Sequence, residues 1–212
     1  MDRHYAADTS SRCYSEYVTV YINPRGSEGY GQEFTNAIIG DWGETPYNDL
    51  MSGLDYLLYT YDFIDKNRMA AMGTSYGGYM INYIAGHTDR FKCLISTCGI
   101  FNLSSCFRTF YKGHFASLEQ MGENLNFSKE NHEKNSPSNY VKNFKTPTLV
   151  IHGERDTIVP ISESLQMFTA LQTMNVPSKF IISPNGGHFE NNLHNVVFFY
   201  EETYKWLEQW NK

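Results

Sequence analysis

Along the chain, short unbroken apolar runs alternate with longer stretches in which apolar residues recur every three or four positions. The runs read as buried strands and the stretches as amphipathic helices. Strand candidates are YVTVYIN (17–23), RMAAMG (68–73), FKCLISTCG (91–99), TPTLVIHG (146–153) and SKFIISPNGG (178–187). Between the first two, TPYNDLMSGLDYLLYTY (45–61) reads as a helix, with Thr45 as its cap and Pro46 in its first turn. Tyr47, Leu50, Leu54, Leu57, Leu58 and Tyr61 form its buried face. YMINYIAGH (79–87) is a second helix. ISESLQMFTALQTM (161–174) is a third, with Ile161, Leu165, Phe168, Leu171 and Met174 on one face. NLHNVVFFYEETYKWLEQW (192–210) closes the chain as another amphipathic helix.

Strands that are apolar throughout, each separated from the next by a helix, specify a parallel sheet covered by helices on both faces. PRGSEGYGQ (24–32) interrupts regular structure. Residues 112–143 are rich in Asn, Lys, Glu and Ser, and read as an excursion of short helices over the end of the sheet.

Composition narrows the function classes. The 212 residues suit a single domain, and 41% hydrophobic with 19% charged residues is a globular balance. No apolar run approaches the roughly 18 residues of a membrane span, and residues 1–17 contain no signal-peptide core. A net charge of −6 without a Lys/Arg block argues against nucleic-acid or membrane partners. Cys13, Cys93, Cys98 and Cys106 show neither C-x-x-C nor zinc-ligand spacing. Cys93 and Cys98 read as buried free thiols, which suits a reducing, cytoplasmic location.

The chemistry centres on AAMGTSYGGYM (70–80), where Gly73-Thr74-Ser75-Tyr76-Gly77 fits G-x-S-x-G between a strand and a helix. In that context the serine sits on a sharp turn that lifts its oxygen clear of the sheet, and glycines are expected where side chains would clash. The turn also puts the Tyr76 N–H at a helix start, where it can bind a developing oxyanion. A serine hydroxyl needs a base, and the base needs an orienting carboxylate; the chain order is Ser, then Asp or Glu, then His.

The loop after TPTLVIHG offers Glu154 and Asp156, and the loop after SKFIIS offers His188. Asp156 is preferred, because Glu154 directly follows Gly153 and suits shaping of the loop. His152 reads as a structural residue beneath the site and His87 as a helix-end residue. His4, His114, His132 and His194 read as solvated or packed side chains. No histidine pair has metal-ligand spacing, so neither metal nor cofactor is expected.

Six segments in order, INPRGSEGYGQEF, GDWGETPYNDLMSGLDYL, GTSYGGYM, GHTDRFK, SPSNYVKNFKTPTLVIHGERDTIVP and GGHFENN, together resemble the catalytic domain of the prolyl oligopeptidase family of serine peptidases, nearest its acylaminoacyl-peptidase and dipeptidyl-peptidase branch. The resemblance runs from about residue 15 to the C-terminus. It implies an α/β-hydrolase fold and carries the triad onto Ser75, Asp156 and His188. It also implies a substrate pocket, for which Tyr76, Phe101, Phe107, Phe110 and Tyr111 are candidates with Ile158 and Val159 from the acid loop.

The family's N-terminal propeller has no counterpart in this sequence, and neither does the His-Gly-Gly-Pro-like loop that supplies a second oxyanion donor. The expectation is therefore one hydrolase domain over 1–212, truncated at its N-terminal strands, with about five strands retained. Losing one oxyanion donor lowers kcat by about 10²–10³, against about 10⁶ for a triad lesion. An exposed sheet edge invites homo-oligomerisation. The reading is a serine peptidase acting on short peptides or acyl-peptides through an acyl-enzyme. An esterase with the same triad and a catalytically impaired remnant with a binding role stay open beside it.

Overall fold

A computed structural model of the protein describes residues 17–110, 112–122 and 129–212. Its centre is a four-stranded sheet of β1 (Ala70–Thr74), β2 (Cys93–Thr97), β3 (Thr148–Gly153) and β4 (Ser178–Ser183). The strands lie side by side in chain order, and every pairing is parallel. Successive strands of a parallel sheet must be joined by crossovers. Here these are α3 (Tyr76–His87) between β1 and β2, and α7 (Ser162–Thr173) between β3 and β4. Between β2 and β3 the chain runs through α4 (Leu103–Thr109), α5 (Gly113–Met121), α6 (Glu130–Asn135) and a 3-10 helix at Pro137–Asn143. That series is the excursion expected over residues 112–143.

The two sheet faces separate by residue parity. Ala71, Leu94, Val150 and Phe180 point to a large core filled by α3 and by Met167 and Leu171 of α7. Ala70, Met72, Cys93, Ile95, Leu149, Ile151 and Ile181 point the other way, to a smaller core closed by Phe199, Trp206, Leu207 and Trp210 of α8 (Leu193–Trp210). Both faces are thus covered, which is why the strands read as continuous apolar runs. Among the described residues no helix is long and apolar enough to cross a membrane.

Three expectations change. Residues 17–23 are not a strand, so the sheet has four described strands rather than five. Ile22 packs beside Gly53 of α2 (Glu44–Thr60), while Val18, Val20 and Tyr21 are exposed. A β-rich sequence becomes a strand only with a ladder partner, and among the described residues this segment pairs with no strand while Ile22 packs on a helix. Thr45 is not the cap of α2: Gly43 precedes the helix, and Asp41 accepts the Glu44 N–H and the Thr45 hydroxyl. On α7 the buried positions are Glu163, Ser164, Met167 and Leu171, and Leu165 is exposed. Two polar residues take buried places there because each has partners close to the site. A short helix α1 (Gln32–Asn36) follows the predicted break at 24–32.

Candidate active site

Ser75 lies between the end of β1 and the start of α3 with φ 59° and ψ −117°. A non-glycine residue in this region carries strain of about 1–3 kcal/mol, sustained only where its surroundings fix it. Here the Ser75 N–H donates to the Thr97 carbonyl and the Ser75 carbonyl accepts from the Tyr79 N–H, both at 2.9 Å. The glycines divide the work differently from the motif-level expectation. A Cβ on Gly73 would meet the Gly77 backbone at 2.4 Å, and one on Gly78 would meet the Thr97 oxygen at 2.5 Å. A Cβ on Gly77 would meet nothing within 4 Å. Gly77 is therefore the surface that Gly73 abuts, and Gly78 is what lets α3 close on the end of β2.

The other two loops follow β3 and β4 and touch through backbone. A Cβ on Gly153 would lie 2.2 Å from the Gly187 oxygen, and the Arg155 N–H donates to the Gly186 carbonyl at 2.8 Å. These contacts bring Asp156 and His188 together across 32 residues of sequence. His188 Nδ1 is 2.6 Å from Asp156 Oδ2, and His188 Nε2 is 2.8 Å from Ser75 Oγ. Asp156 Oδ1 accepts the N–H groups of Ile158 and Val159 at 2.8 and 2.9 Å. Burial opposes the charge on Asp156, but hydrogen bonds from His152 and His188 outweigh it and hold the carboxyl well below the usual carboxylate range. An ionised Asp156 fixes the polarity: Nδ1–H donates to the carboxylate, leaving Nε2 to accept the Ser75 hydroxyl proton.

Tyr76 is the first residue of α3, so its N–H is one that the helix leaves without an internal acceptor. Its phenol is committed elsewhere, donating to the Trp42 carbonyl at 2.8 Å, and burial pushes the phenol above its ordinary pKa.

The remaining pocket candidates scatter. Phe101 and Phe107 are buried: Phe101 packs on Phe144, and Phe107 packs on Trp42 and His132. Val159 is also in the core. Phe110 is half-buried at the end of α4, Ile158 is exposed within the acid loop, and Tyr111 lies outside the described residues. A shallow cleft of about 440 Å³ runs along residues 58–67. It lies in the connection leading into β1, at the opposite end of that strand from Ser75.

The exposed Glu154 carboxylate accepts the Asn185 N–H at 3.4 Å, a contact to the loop after β4 rather than within its own loop. His87 ends α3, and His132 is packed against Phe107. Cys93, Cys98 and Cys106 are buried free thiols, and Cys13 and His4 lie outside the described residues. Burial pushes the Cys98 thiol up to about 12.

Three side chains support the site: Glu163 and Glu190, for which the sequence offered no reading, and His152, read as structural beneath the site. Glu163 accepts the Phe101 and Asn102 N–H groups, at 3.0 and 2.8 Å, and the Ser105 hydroxyl. Glu190 accepts from the Ser183 hydroxyl, the Asn192 N–H and the Asn195 amide, fixing the loop that carries His188. His152 touches Asp156 itself. A visible signal existed for His152, which lies four residues before the acid at a strand end. Glu163 showed none, because a glutamate in a helix's first turn ordinarily faces water. Donor atoms of Cys98, His152 and Asp156 lie within 4.8 Å of one another. Both His152 nitrogens and both Asp156 oxygens already have hydrogen-bond partners, so the cluster is satisfied without an ion.

A serine, an aspartate and a histidine in turns beyond β1, β3 and β4 of a parallel sheet define the class: a nucleophile-elbow hydrolase fold. The prolyl oligopeptidase family model matches residues 3–212, and the chain belongs to that family. It is 41% identical over 172 residues to the uncharacterized peptidase YuxL of Bacillus subtilis, which covers 81% of this chain and 26% of that protein. It is 33% identical over 198 residues to dipeptidyl-peptidase 5 of Schizosaccharomyces pombe, covering 92% of this chain and 29% of the relative. Acylaminoacyl peptidase of Pyrococcus horikoshii superposes with a TM-score of 0.87 at 29% identity, over 91% of this chain and 32% of that one. An acylaminoacyl peptidase in complex with Z-Gly-Gly-Phe-chloromethyl ketone gives the same TM-score at 30% identity, with the same coverage of both chains. The chain thus spans about a quarter to a third of the length of these relatives.

Proposed function

We propose that this chain carries the catalytic centre of a serine peptidase that cleaves an amide bond of a short peptide or acyl-peptide through an acyl-enzyme. The observation that carries the reading is the unbroken hydrogen-bond chain from Ser75 through His188 to Asp156, at 2.8 and 2.6 Å. Ser75 Oγ attacks the carbonyl carbon as its proton passes to His188 Nε2. Asp156 stabilises the imidazolium through Nδ1–H, and the Tyr76 N–H stabilises the oxyanion. His188 then returns the proton to the leaving nitrogen as the C–N bond breaks. Water, deprotonated by the same imidazole, releases the acyl group. Support for an amide substrate comes from the relatives, which are named as peptidases. Ile158 and Phe110, neither of them closed into the core, are the pocket candidates still open to a substrate side chain. A fluorophosphonate probe tests the reading: the wild-type chain is labelled and Ser75→Ala is not. Absence of labelling on the folded wild-type chain overturns it. Matched ester and amide substrates then separate a peptidase from an esterase.

A further inference from the structure

We infer that His152 is a positioning residue for Asp156, a second imidazole that sets the orientation of the catalytic carboxylate; this rests on the triad reading above. His152 is fully buried at the end of β3. Its Nδ1 is 2.6 Å from Ser164 Oγ; its Nε2 is 2.9 Å from the Val159 carbonyl oxygen and 3.3 Å from Asp156 Oδ2. A carbonyl oxygen only accepts, so Nε2 carries the hydrogen. That hydrogen is shared between the Val159 carbonyl and the carboxylate, while Nδ1 is hydrogen-bonded with the Ser164 hydroxyl.

The carboxylate therefore meets four donors. Ile158 and Val159 N–H take Oδ1, and His188 Nδ1–H and His152 Nε2–H share Oδ2. Four donors match the approximately four acceptor sites of a carboxylate, so Asp156 has no spare lone pair to turn toward another partner. The same His152 hydrogen fixes the Val159 carbonyl, closing the acid loop on the strand it leaves. Ser164 is adjacent in α7 to Glu163, which holds the loop after β2. One helical turn thus backs both loops. A purely structural histidine would contribute to folding and leave the chemistry of the folded fraction unchanged. A positioning histidine sets how well Asp156 faces His188, and its loss slows the proton transfer even in fully folded protein.

The test uses the intact chain with His152→Leu, which fills the space without an N–H; His152→Gln, which returns an N–H near the Nε2 position; and Ser164→Ala. Two readouts are taken on protein shown to be folded by circular dichroism. One is the rate constant for fluorophosphonate modification of Ser75. The other is the proton resonance of His188 Nδ1–H, assigned by its loss in His188→Ala. The Leu variant is expected to react about 10–100-fold more slowly, the scale typical of partners that orient a functional group from one layer behind it. KM for a small substrate stays unchanged, and the Nδ1–H resonance shifts or broadens. The Gln variant recovers most of the rate and the resonance, and Ser164→Ala loses less than Leu. A folded Leu variant with wild-type rate and wild-type resonance overturns the inference. A Leu variant that does not fold leaves the decision to Gln and Ser164→Ala: wild-type rate and resonance in Ser164→Ala overturn the inference, and a loss in Ser164→Ala with recovery in Gln supports it. Failure of the triad reading looks different, with no labelling of the wild-type chain. The resonance, which needs no turnover, still tests His152 in that event.

Discussion

Asp156, in the loop beyond β3, is buried and closed by several partners, whereas Arg25 and Asp49, between residues 17 and 67, pair at the surface. Asp156 is sealed from water and meets four N–H donors. Arg25 and Asp49 form a two-pronged pair with side-chain exposures of 44% and 25%. Apolar residues follow the same division. Leu149 in β3 has no exposed surface, but Tyr56, Tyr59 and Phe63 near the end of α2 are exposed, and only Pro46 of that helix is fully buried. Asp156 and His188 lie on the dense side, and Ser75 reaches them half-buried from the end of β1. Position to within a fraction of an ångström is what the proposed chemistry demands, and buried groups with every polar atom answered provide it. The N-terminal region covers one side of the core without that demand, and it leaves β1 with β2 as its single described neighbour.

The largest effect that would break this contrast is on activity. Asp156→Asn is expected to lower kcat/KM on a peptide substrate by about 10⁴, with the fold retained; a loss under tenfold would show that a sealed carboxylate is not required. Stability gives a direct comparison between the two regions. Leu149→Ala is expected to cost about 2–5 kcal/mol in urea unfolding. Leu54→Ala, on the half-buried face of α2, should cost about 1 kcal/mol by its smaller loss of buried area. Equal costs would erase the distinction.

Acid sharpens it further. The folded pKa of Asp156 lies below its unfolded value, so its contribution is fully present above the ordinary aspartate pKa of about 4. That contribution disappears as pH falls toward the folded value. The difference in Tm between wild type and Asp156→Asn should therefore shrink as pH drops below about 4. The smallest effect is at the surface. Tyr59, 89% exposed, should tolerate Tyr59→Ser within about 0.5 kcal/mol.

Much of the dense side was legible in the sequence because its constraints are local. β3 is bracketed by Pro147 and Gly153, and Ser75 lies in a motif whose turn is specified within five residues. His188 follows a glycine pair that a strand-ending turn needs. The strand expected at 17–23 failed because strand formation depends on a partner, which no window of sequence contains. The face of α7 was misjudged because Glu163 and Ser164 are polar, and polar residues count as exposed in a periodicity. They are buried because Phe101, Asn102 and Ser105 answer one of them and His152 the other. Aromatic residues near the site drew attention as pocket walls, but side-chain type does not separate a lining ring from a packed one.

The contact between Ser75 and His188 joins residues 113 positions apart. Closing so long a loop is an entropic cost met before the contact returns anything, which makes such pairings slow among the events of folding. β1 and β4, which carry the two groups, are the outermost strands of the described sheet, so the hydroxyl and imidazole meet only when β2 and β3 are seated between them. Reactivity at Ser75 is thus a clock on refolding. During renaturation, probe labelling should lag behind the recovery of helical signal, reporting the moment the two ends of the sheet come into register.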